Sequence, residues 1–119
     1  MSMASGVRVC AIVPAYNEGG RVGRIVERVR GFVSAVVVVD DGSTDDTAER
    51  AGAAGAHVVR HGHNRGKGVA LQSGCAVAFR VGCDAVITLD GDGQHDPEDV
   101  LRFLDCFERT CADIVVGAR

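Results

Sequence analysis

The sequence lacks three features that would each point to a different class of protein. No stretch approaches the roughly 18 apolar residues that a transmembrane helix needs, so we expect no membrane span. There is no run of Lys or Arg and the formal net charge is -3, which argues against nucleic acid as a partner. The apolar run near the N-terminus is short and strand-like, so we expect no signal peptide. We therefore expect a cytoplasmic protein, at most peripheral at the cytoplasmic face of the membrane.

Cysteines are present, but no two of them have the Cys-x-x-Cys spacing, and their number is odd. Most have apolar neighbours, which favours reduced, partly buried thiols over disulfides or a zinc site. They are Cys10, Cys75, Cys83, Cys106 and Cys111.

The length and the composition indicate one soluble domain. A chain of 119 residues is about one domain long, and 46% hydrophobic with 24% charged residues is ordinary for a globular protein. We find no linker and no internal repeat, so residues 1–119 are treated as a single domain.

Short apolar runs alternate with helical patterns along the chain. The predicted strands are Val7–Pro14, Ala35–Asp40, His57–Arg60, Ala85–Leu89 and Ile114–Val116. The predicted helices are Arg21–Val33, Asp45–Ala54, Lys67–Val81 and Pro97–Arg109. This alternation predicts an α/β fold of the Rossmann-like kind, a mostly parallel sheet with helices on both faces. Ligands of such sheets bind at the carboxyl ends of the strands, near the point where strand order reverses.

Three predicted strands end in polar, acidic loops, at residues 14–20, 40–46 and 90–96. Parallel strands would bring these loops to one edge, where crowded carboxylates repel each other unless a cation binds. Asp90 and Asp92 flank a glycine, and oxygen ligands suit Mg²⁺ or Mn²⁺. A plain surface turn is the alternative interpretation. The position of Asp90 and Asp92 after an apolar strand, beside Asp40 and Asp41, favours the metal site.

The loop after the second strand has two interpretations. Ser43, Thr44 or Asp45 could cap the next helix, but this leaves Asp40 and Asp41 unexplained at the buried end of a strand. A carboxylate there could accept a hydrogen bond from a nucleobase N–H. Tyr16, in the first loop, could pack on that base.

The segment from Asn64 to Gly68 leads into a predicted helix. Its glycines, the amides of the helix start, Arg65 and Lys67 suit a phosphate, although a solvated basic turn remains open. The spacing of a Walker motif is absent. We expect His61 and His63 to be exposed loop residues and find no Ser-His-Asp combination. His95 could contact substrate.

Five ordered segments together resemble glycosyltransferase family 2, most closely the branch that transfers a hexose to a polyprenyl or dolichyl phosphate. They are Val13-Pro-Ala-Tyr-Asn-Glu18, Val37-Val-Val-Asp-Asp-Gly-Ser-Thr-Asp-Asp-Thr47, Asn64-Arg-Gly-Lys-Gly68, Leu89-Asp-Gly-Asp-Gly-Gln-His-Asp-Pro-Glu98 and Asp113-Ile-Val-Val-Gly-Ala-Arg119. The resemblance implies the A-type glycosyltransferase fold, a nucleotide-diphosphate sugar donor, a divalent metal and inversion at the sugar.

Carried over by matching position, the resemblance also implies roles for individual residues. Those implied to line the nucleoside pocket are Pro14, Tyr16, Glu18, Val39 and Asp41. Those implied at the diphosphate and the metal are Asp90, Gly91, Asp92 and Gln94, with Asp90, Asp92 and Gln94 as metal ligands. Lys67 joins the nucleotide-sugar site through the phosphate argument above.

Members of this family continue beyond the matching segments for roughly another half of a domain. That additional part carries the acceptor contacts and, where one is used, the carboxylate base. No catalytic residue is therefore assigned, and the activity of residues 1–119 alone is open. A non-catalytic nucleotide-sugar-binding remnant or partner module is the competing hypothesis, and turnover with an acceptor separates the two. A phosphatase of the Asp-x-Asp type is disfavoured because the first strand ends in Pro14-Ala15-Tyr16. An uncovered sheet edge and face lead us to expect self-association into a homo-oligomer, or a second chain that covers that face.

Overall fold

The structure is a computed structural model that describes residues 8–89 and 114–116. The strands in the described residues are β1 (Val9–Ala15), β2 (Ala35–Asp41), β3 (His57–His61), β4 (Ala85–Thr88) and β5 (Ile114–Val116). The helices are α1 (Gly19–Val29), α2 (Thr47–Ala53) and α3 (Lys67–Arg80). The predicted helix Pro97–Arg109 lies outside the described residues.

All strand pairings are parallel, in the order β3-β2-β1-β4-β5. The chain moves outward from β1 to β3 and then returns to the other side of β1, so the order reverses between β1 and β4. The predicted parallel sheet is confirmed. The expected ligand edge is therefore where β1, β2 and β4 end.

The helices cover both faces of the sheet, as predicted. Alternate residues of β1 face opposite sides because side chains alternate along a strand. Val9, Ala11 and Val13 pack in one cluster with residues of α1 and α2. Cys10 and Ile12 pack in a second cluster with residues of α3. Each face of the central strand is therefore buried, which explains its uninterrupted apolar sequence.

Helix α1 begins and ends earlier than predicted. The carbonyl oxygen of Glu18 accepts hydrogen bonds from the N–H groups of Arg21 (2.9 Å) and Val22 (2.8 Å), so the first turn starts before Arg21. The helix ends at Val29, and the chain then turns towards β2. Val33 leaves the helix but still packs, partly buried, on the same core. The predicted helical conformation at Val33 is therefore wrong.

Helix α3 approaches the sheet closely at Gly74, which the sequence analysis did not single out. A Cβ atom on this glycine would lie 2.5 Å from Ile12 Cγ2 and 3.2 Å from Val39 Cγ2. The small residues of α3 therefore permit close packing on β1 and β2. Ala70 and Ala78 of the same helix are fully buried.

The prediction of reduced thiols is confirmed for the three cysteines in the described residues. Cys10 and Cys83 are buried and Cys75 is partly buried, and all three are free. Burial raises the pKa of the Cys10 thiol to about 12, which keeps it protonated and unreactive. Cys106 and Cys111 lie outside the described residues.

Within residues 8–89 and 114–116, no helix combines the length and apolarity needed to cross a bilayer.

Candidate nucleotide-sugar site

The loops that follow β1 and β2 form one connected unit at the carboxyl edge of the sheet. Ala15 pairs with Asp40, so the two strands end side by side. The N–H of Asn17 donates to Ser43 Oγ (2.8 Å), and the N–H of Thr44 donates to Asn17 Oδ1 (2.8 Å). Asn17 adopts a positive φ of 53°, which Asn tolerates better than most residues. In this conformation, both the backbone and the side chain of Asn17 form hydrogen bonds with the second loop.

A second set of bonds joins the start of α1 to the start of α2. The N–H of Glu18 donates to Thr47 Oγ1 (3.0 Å), and the N–H of Gly19 donates to Asp45 Oδ2 (3.1 Å). Asp45 also accepts hydrogen bonds from the hydroxyl and the N–H of Thr47, and these contacts lower the pKa of Asp45. The side chains of the second loop thus hold the first loop in place.

The predicted cap of α2 needs correction. The helix begins at Thr47, with Asp46 at the N-cap position and no capping bond from its side chain. Ser43 and Thr44 instead bind Asn17 in the neighbouring loop. Asp45 comes closest to the predicted role, because it accepts the N–H of Thr47 at 3.0 Å. The competition between local capping and contact with the other loop was not visible in the sequence.

Of the two residues of the first loop that are implied at the nucleoside, Tyr16 lies where a ligand could reach it, whereas the Oε1 atom of Glu18 is buried. Tyr16 is 47% exposed, although it is a large aromatic residue. Glu18 Oε1 is buried and accepts no hydrogen bond from the described residues. Arg21 Nε lies 3.1 Å from this oxygen, at an ion-pair distance. Buried acceptors are usually satisfied, and at Glu18 Oε1 the ion pair with Arg21 does so.

The other residues implied for the nucleoside pocket are less accessible. Pro14 is partly buried near the end of β1. Val39 is fully buried, and its side chain packs beneath α3. Its role at a nucleoside stays a prediction, and the structure places its side chain in the core.

Asp41 is 6% exposed and holds the loop between β3 and α3. Its Oδ1 lies 2.8 Å from His61 Nδ1 and accepts the N–H of Arg65 (2.9 Å), while its Oδ2 accepts the N–H of Gly66 (2.9 Å). Burial acts to raise the pKa of Asp41, but these hydrogen bonds outweigh it and lower the pKa below the ordinary value of 3.8. A carboxylate has about four acceptor positions, so a contact with a nucleobase, which stays a prediction, would use remaining capacity.

Asp40 is also satisfied by the chain itself. It is 2% exposed, and its Oδ1 accepts the N–H of Ser43 at 2.9 Å. Backbone amides therefore stabilise both acidic residues at the end of β2, together with His61 at Asp41. This answers the question of why two carboxylates can stand at the buried end of a strand.

The prediction that His61 is exposed is wrong, whereas His63 is exposed as expected. His61 is the last residue of β3, and its side chain is only 6% exposed. Its Nδ1 faces Asp41, and its Nε2 lies 2.9 Å from Ser73 Oγ. The sequence separation of Ser73, which lies on the next helix, hid this contact. The only sequence signal for the burial of His61 was its position shortly after the apolar pair Val58-Val59, close enough to belong to the same strand.

Asp41, His61 and Ser73 have the connectivity of a serine-hydrolase triad, which the sequence analysis did not find. A hydrolase also needs free N–H groups to stabilise an oxyanion. Ser73 lies in the middle of α3, where backbone N–H groups bond within the helix. We therefore interpret the three residues as a structural connection between β2, β3 and α3.

The predicted phosphate loop leads directly into α3. Gly66 is the N-cap residue, has a φ of 96°, and provides no side chain to cap the first turn. Arg65 beside it is exposed. Lys67 is the first residue of α3, and its side chain lies outside the described part of the chain. An uncapped helix start beside an exposed Arg has the properties of an anion site.

The acidic loop after β4 lies outside the described residues, which applies to Asp90, Gly91, Asp92, Gln94 and His95. Residues 8–89 and 114–116 contain no group of three or more His, Cys, Asp or Glu side chains that could hold a metal. The strand that precedes the loop is well placed, because Thr88 pairs with Ile12 and the N–H of Leu89 donates to Ile12 O at 2.9 Å. The chain thus leaves the sheet next to β1, directly before Asp90.

Residues 10–119 match the profile of the family described as "Glycosyl transferase family 2". The match covers nearly the whole chain, and the chain belongs to this family. The resemblance seen in the sequence is thereby confirmed.

Two relatives are named as transferases that act on lipid phosphates. The chain is 37% identical over 120 residues to an undecaprenyl-phosphate mannosyltransferase of Micrococcus luteus, covering 95% of this chain and 49% of that protein. It is 29% identical over 126 residues to a UDP-N-acetylglucosamine–dolichyl-phosphate N-acetylglucosaminyltransferase of Methanococcus voltae, covering 91% and 50%. The chain therefore spans about half the length of these curated relatives.

The fold is shared with solved glycosyltransferase structures. Glucosyl-3-phosphoglycerate synthase from Mycobacterium tuberculosis, crystallised with Mn²⁺, UDP and glucosyl-3-phosphoglycerate, matches with a TM-score of 0.73 and 29% identity. The match covers 87% of this chain and 40% of the synthase. The expected A-type glycosyltransferase fold is confirmed for the part of the chain that matches.

Proposed function

We propose that this chain is the donor-binding part of a glycosyltransferase that transfers a hexose from a nucleotide-diphosphate sugar to a polyprenyl phosphate, or to another lipid or glycan acceptor. The observation that carries the proposal is the preformed pair of loops at the ends of β1 and β2. It presents an exposed Tyr16 at one edge of the sheet, beside Glu18, whose side chain is ion-paired with Arg21. The relatives that carry out such transfers support the acceptor class.

The nucleoside would bind at the first loop. The ring of Tyr16 offers a surface on which a base can stack, and Glu18 can accept a hydrogen bond from a donor on the nucleoside. Pro14, Val39 and Asp41 would complete this pocket, as the family resemblance implies. The rigid connection between the loops would reduce the conformational entropy lost on binding.

The diphosphate would bind between the start of α3 and the loop after β4. Arg65, Lys67 and the first amides of α3 provide positive charge and N–H donors. Mg²⁺ or Mn²⁺, held by Asp90, Asp92 and Gln94 near Gly91, would neutralise charge on the leaving nucleoside diphosphate. These oxygen donors fit a hard cation. We propose the cytoplasmic face of a membrane as the site of action.

Calorimetry with uridine and guanosine diphosphates tests the donor site. We expect binding by the parent chain in the presence of Mn²⁺, and weaker binding by Asp92→Asn, because one carboxylate ligand is lost. Equal affinity of the parent chain with and without Mn²⁺ would rule out the metal assignment.

A transfer assay with a polyprenyl phosphate separates an enzyme from a binding module. The chain of 119 residues is expected to bind donor yet transfer little sugar. Acceptor positioning and general-base help are proposed to come from the half that the longer relatives have in addition. Rapid transfer that Asp92→Asn abolishes would show that residues 1–119 suffice. Light scattering over a range of concentrations tests the predicted homo-oligomer.

A further inference from the structure

A buried histidine connects three elements beside the proposed diphosphate site. His61 ends β3, and the strand register places it opposite Asp41, the last residue of β2. Its ring lies 2.8 Å from Asp41 Oδ1 on one side and 2.9 Å from Ser73 Oγ of α3 on the other. Both ring nitrogens thus have partners, so the ring has one favoured orientation.

Asp41 connects the fixed ring of His61 to the loop before α3. The same carboxylate accepts the N–H groups of Arg65 and Gly66, each at 2.9 Å. Without the ring, one oxygen of a nearly buried carboxylate would lose its side-chain partner. The carboxylate would then be held by the two loop amides alone, so the acceptor that orders those amides would itself be less firmly fixed.

The loop amides determine where the positive charges of this segment lie. Gly66 sits between Arg65 and Lys67, and it is also the N-cap of α3. Holding its N–H in place therefore fixes the backbone from which both basic side chains extend. It also fixes the direction of the first helical turn, whose amides carry partial positive charge.

We infer that His61 is a positioning residue which, through Asp41, holds residues 65 and 66 in the conformation that receives the diphosphate of the donor. This inference rests on the proposed function, and it adds a residue that neither the sequence analysis nor the family resemblance assigned to the site. His61 does not touch the donor. Its contribution is to order the loop before the ligand arrives.

Three variants separate this role from a general effect on folding. His61→Ala removes both contacts of the ring. His61→Asn provides an amide nitrogen near the position of Nδ1, which can donate to Asp41 but cannot reach Ser73. His63→Ala is the matched control, because it removes an exposed histidine two residues further along the chain.

Binding is measured by calorimetry with Mn²⁺ and whichever of uridine or guanosine diphosphate the parent binds more tightly, and by NMR titration with the corresponding nucleoside. We expect His61→Ala to bind the diphosphate roughly tenfold more weakly, which is the scale of one lost ordering contact. Binding of the nucleoside should also weaken, because Asp41 belongs to the proposed nucleoside pocket, but by a smaller factor than binding of the diphosphate. His61→Asn should recover most of the affinity, and His63→Ala should match the parent. An equal loss for nucleoside and diphosphate would overturn the inference in favour of a purely structural role.

Amide hydrogen exchange tests the loop independently of any ligand. The N–H groups of Arg65 and Gly66 should lose protection in His61→Ala and keep it in His61→Asn, while the N–H of Val38 in β2 reports overall stability. Unchanged protection of both loop amides in His61→Ala would overturn the inference. If the parent binds neither nucleotide, the proposed function and the diphosphate role fail together, and the exchange data still decide whether His61 holds the loop.

Discussion

Replacing Gly42 with Ala should perturb both the stability of the chain and the proposed phosphate loop. Gly42 follows β2 with a φ of 85°. A Cβ atom there would lie 2.5 Å from Asn64 N, 2.5 Å from His63 C and 2.9 Å from His63 Cα. All three contacts are with backbone atoms, so no side-chain rotation can relieve them.

The expected cost has two parts. An alanine with positive φ costs about 1–2 kcal/mol, and overpacking against atoms that cannot move freely costs about 1–3 kcal/mol. The free energy of unfolding should therefore fall by about 2–5 kcal/mol. For a domain of this length each kcal/mol corresponds to about 4 °C in melting temperature. Relief of these close contacts should push the backbone of residues 63 and 64 outward, and Arg65 with it.

Thermal unfolding and calorimetry with a nucleoside diphosphate measure the two effects. Gly82→Ala is a matched control, because its φ is 94° and its nearest contact is the end of the Arg8 side chain at 3.0 Å. It should lose only about 1–2 kcal/mol and keep its nucleotide affinity. Gly62→Ala lies in the loop with nothing within 4 Å of its Cβ and should behave as the parent. If Gly42→Ala is no less stable than Gly82→Ala, the contact with the loop backbone does not constrain the chain.

Three further predictions follow from buried groups in the described residues. Gly74→Ala should lower the free energy of unfolding by about 1–3 kcal/mol in urea, because its Cβ would lie 2.5 Å from the sheet, whereas Gly68→Ala, with open space, should not. Because the folded pKa of Asp41 is lowered, its ionised form contributes stability above the unfolded value of 3.8, and this contribution is lost as pH falls. The stability gap between parent and Asp41→Asn should thus shrink below about pH 4, and a gap that stays constant into acid would contradict this. With a pKa raised to about 12, Cys10 should resist iodoacetamide at about pH 8 in the native chain but not in urea, as peptide mass spectrometry can show.

The order of elements followed from the apolar pattern, since every predicted strand in the described residues forms within two residues of its expected bounds. β1 and β2 are nearly continuous apolar runs, and such runs are stable only where both faces are covered. Helix ends were predicted less well. The start of α1 depends on a carbonyl of Glu18 rather than on a capping side chain, so composition gave no signal.

The candidate site was predicted at the level of loops but not of contacts. Parallel strands guarantee that the loops after β1 and β2 meet, which made Tyr16 and Glu18 candidates from the sequence. The pairing of Asp41 with His61 depends on strand register, and the bond to Ser73 depends on how α3 lies across the sheet. Neither is set by a local pattern, so a histidine that looked like a loop residue was assigned wrongly.

The central position of β1 has a consequence for how the chain folds during synthesis. Its pairing with β2 needs only the next 30 or so residues, since loops of this size close readily, but its other edge pairs with β4, whose residues begin at Ala85. Until the ribosome has delivered Ala85, one side of the most apolar strand has no native partner. The nascent chain therefore passes through a stage in which β1, β2 and β3 form an incomplete sheet with an exposed edge. Intermediates with such unpaired edges are prone to aggregation, so we expect this stage to depend more on chaperones than the finished sheet does.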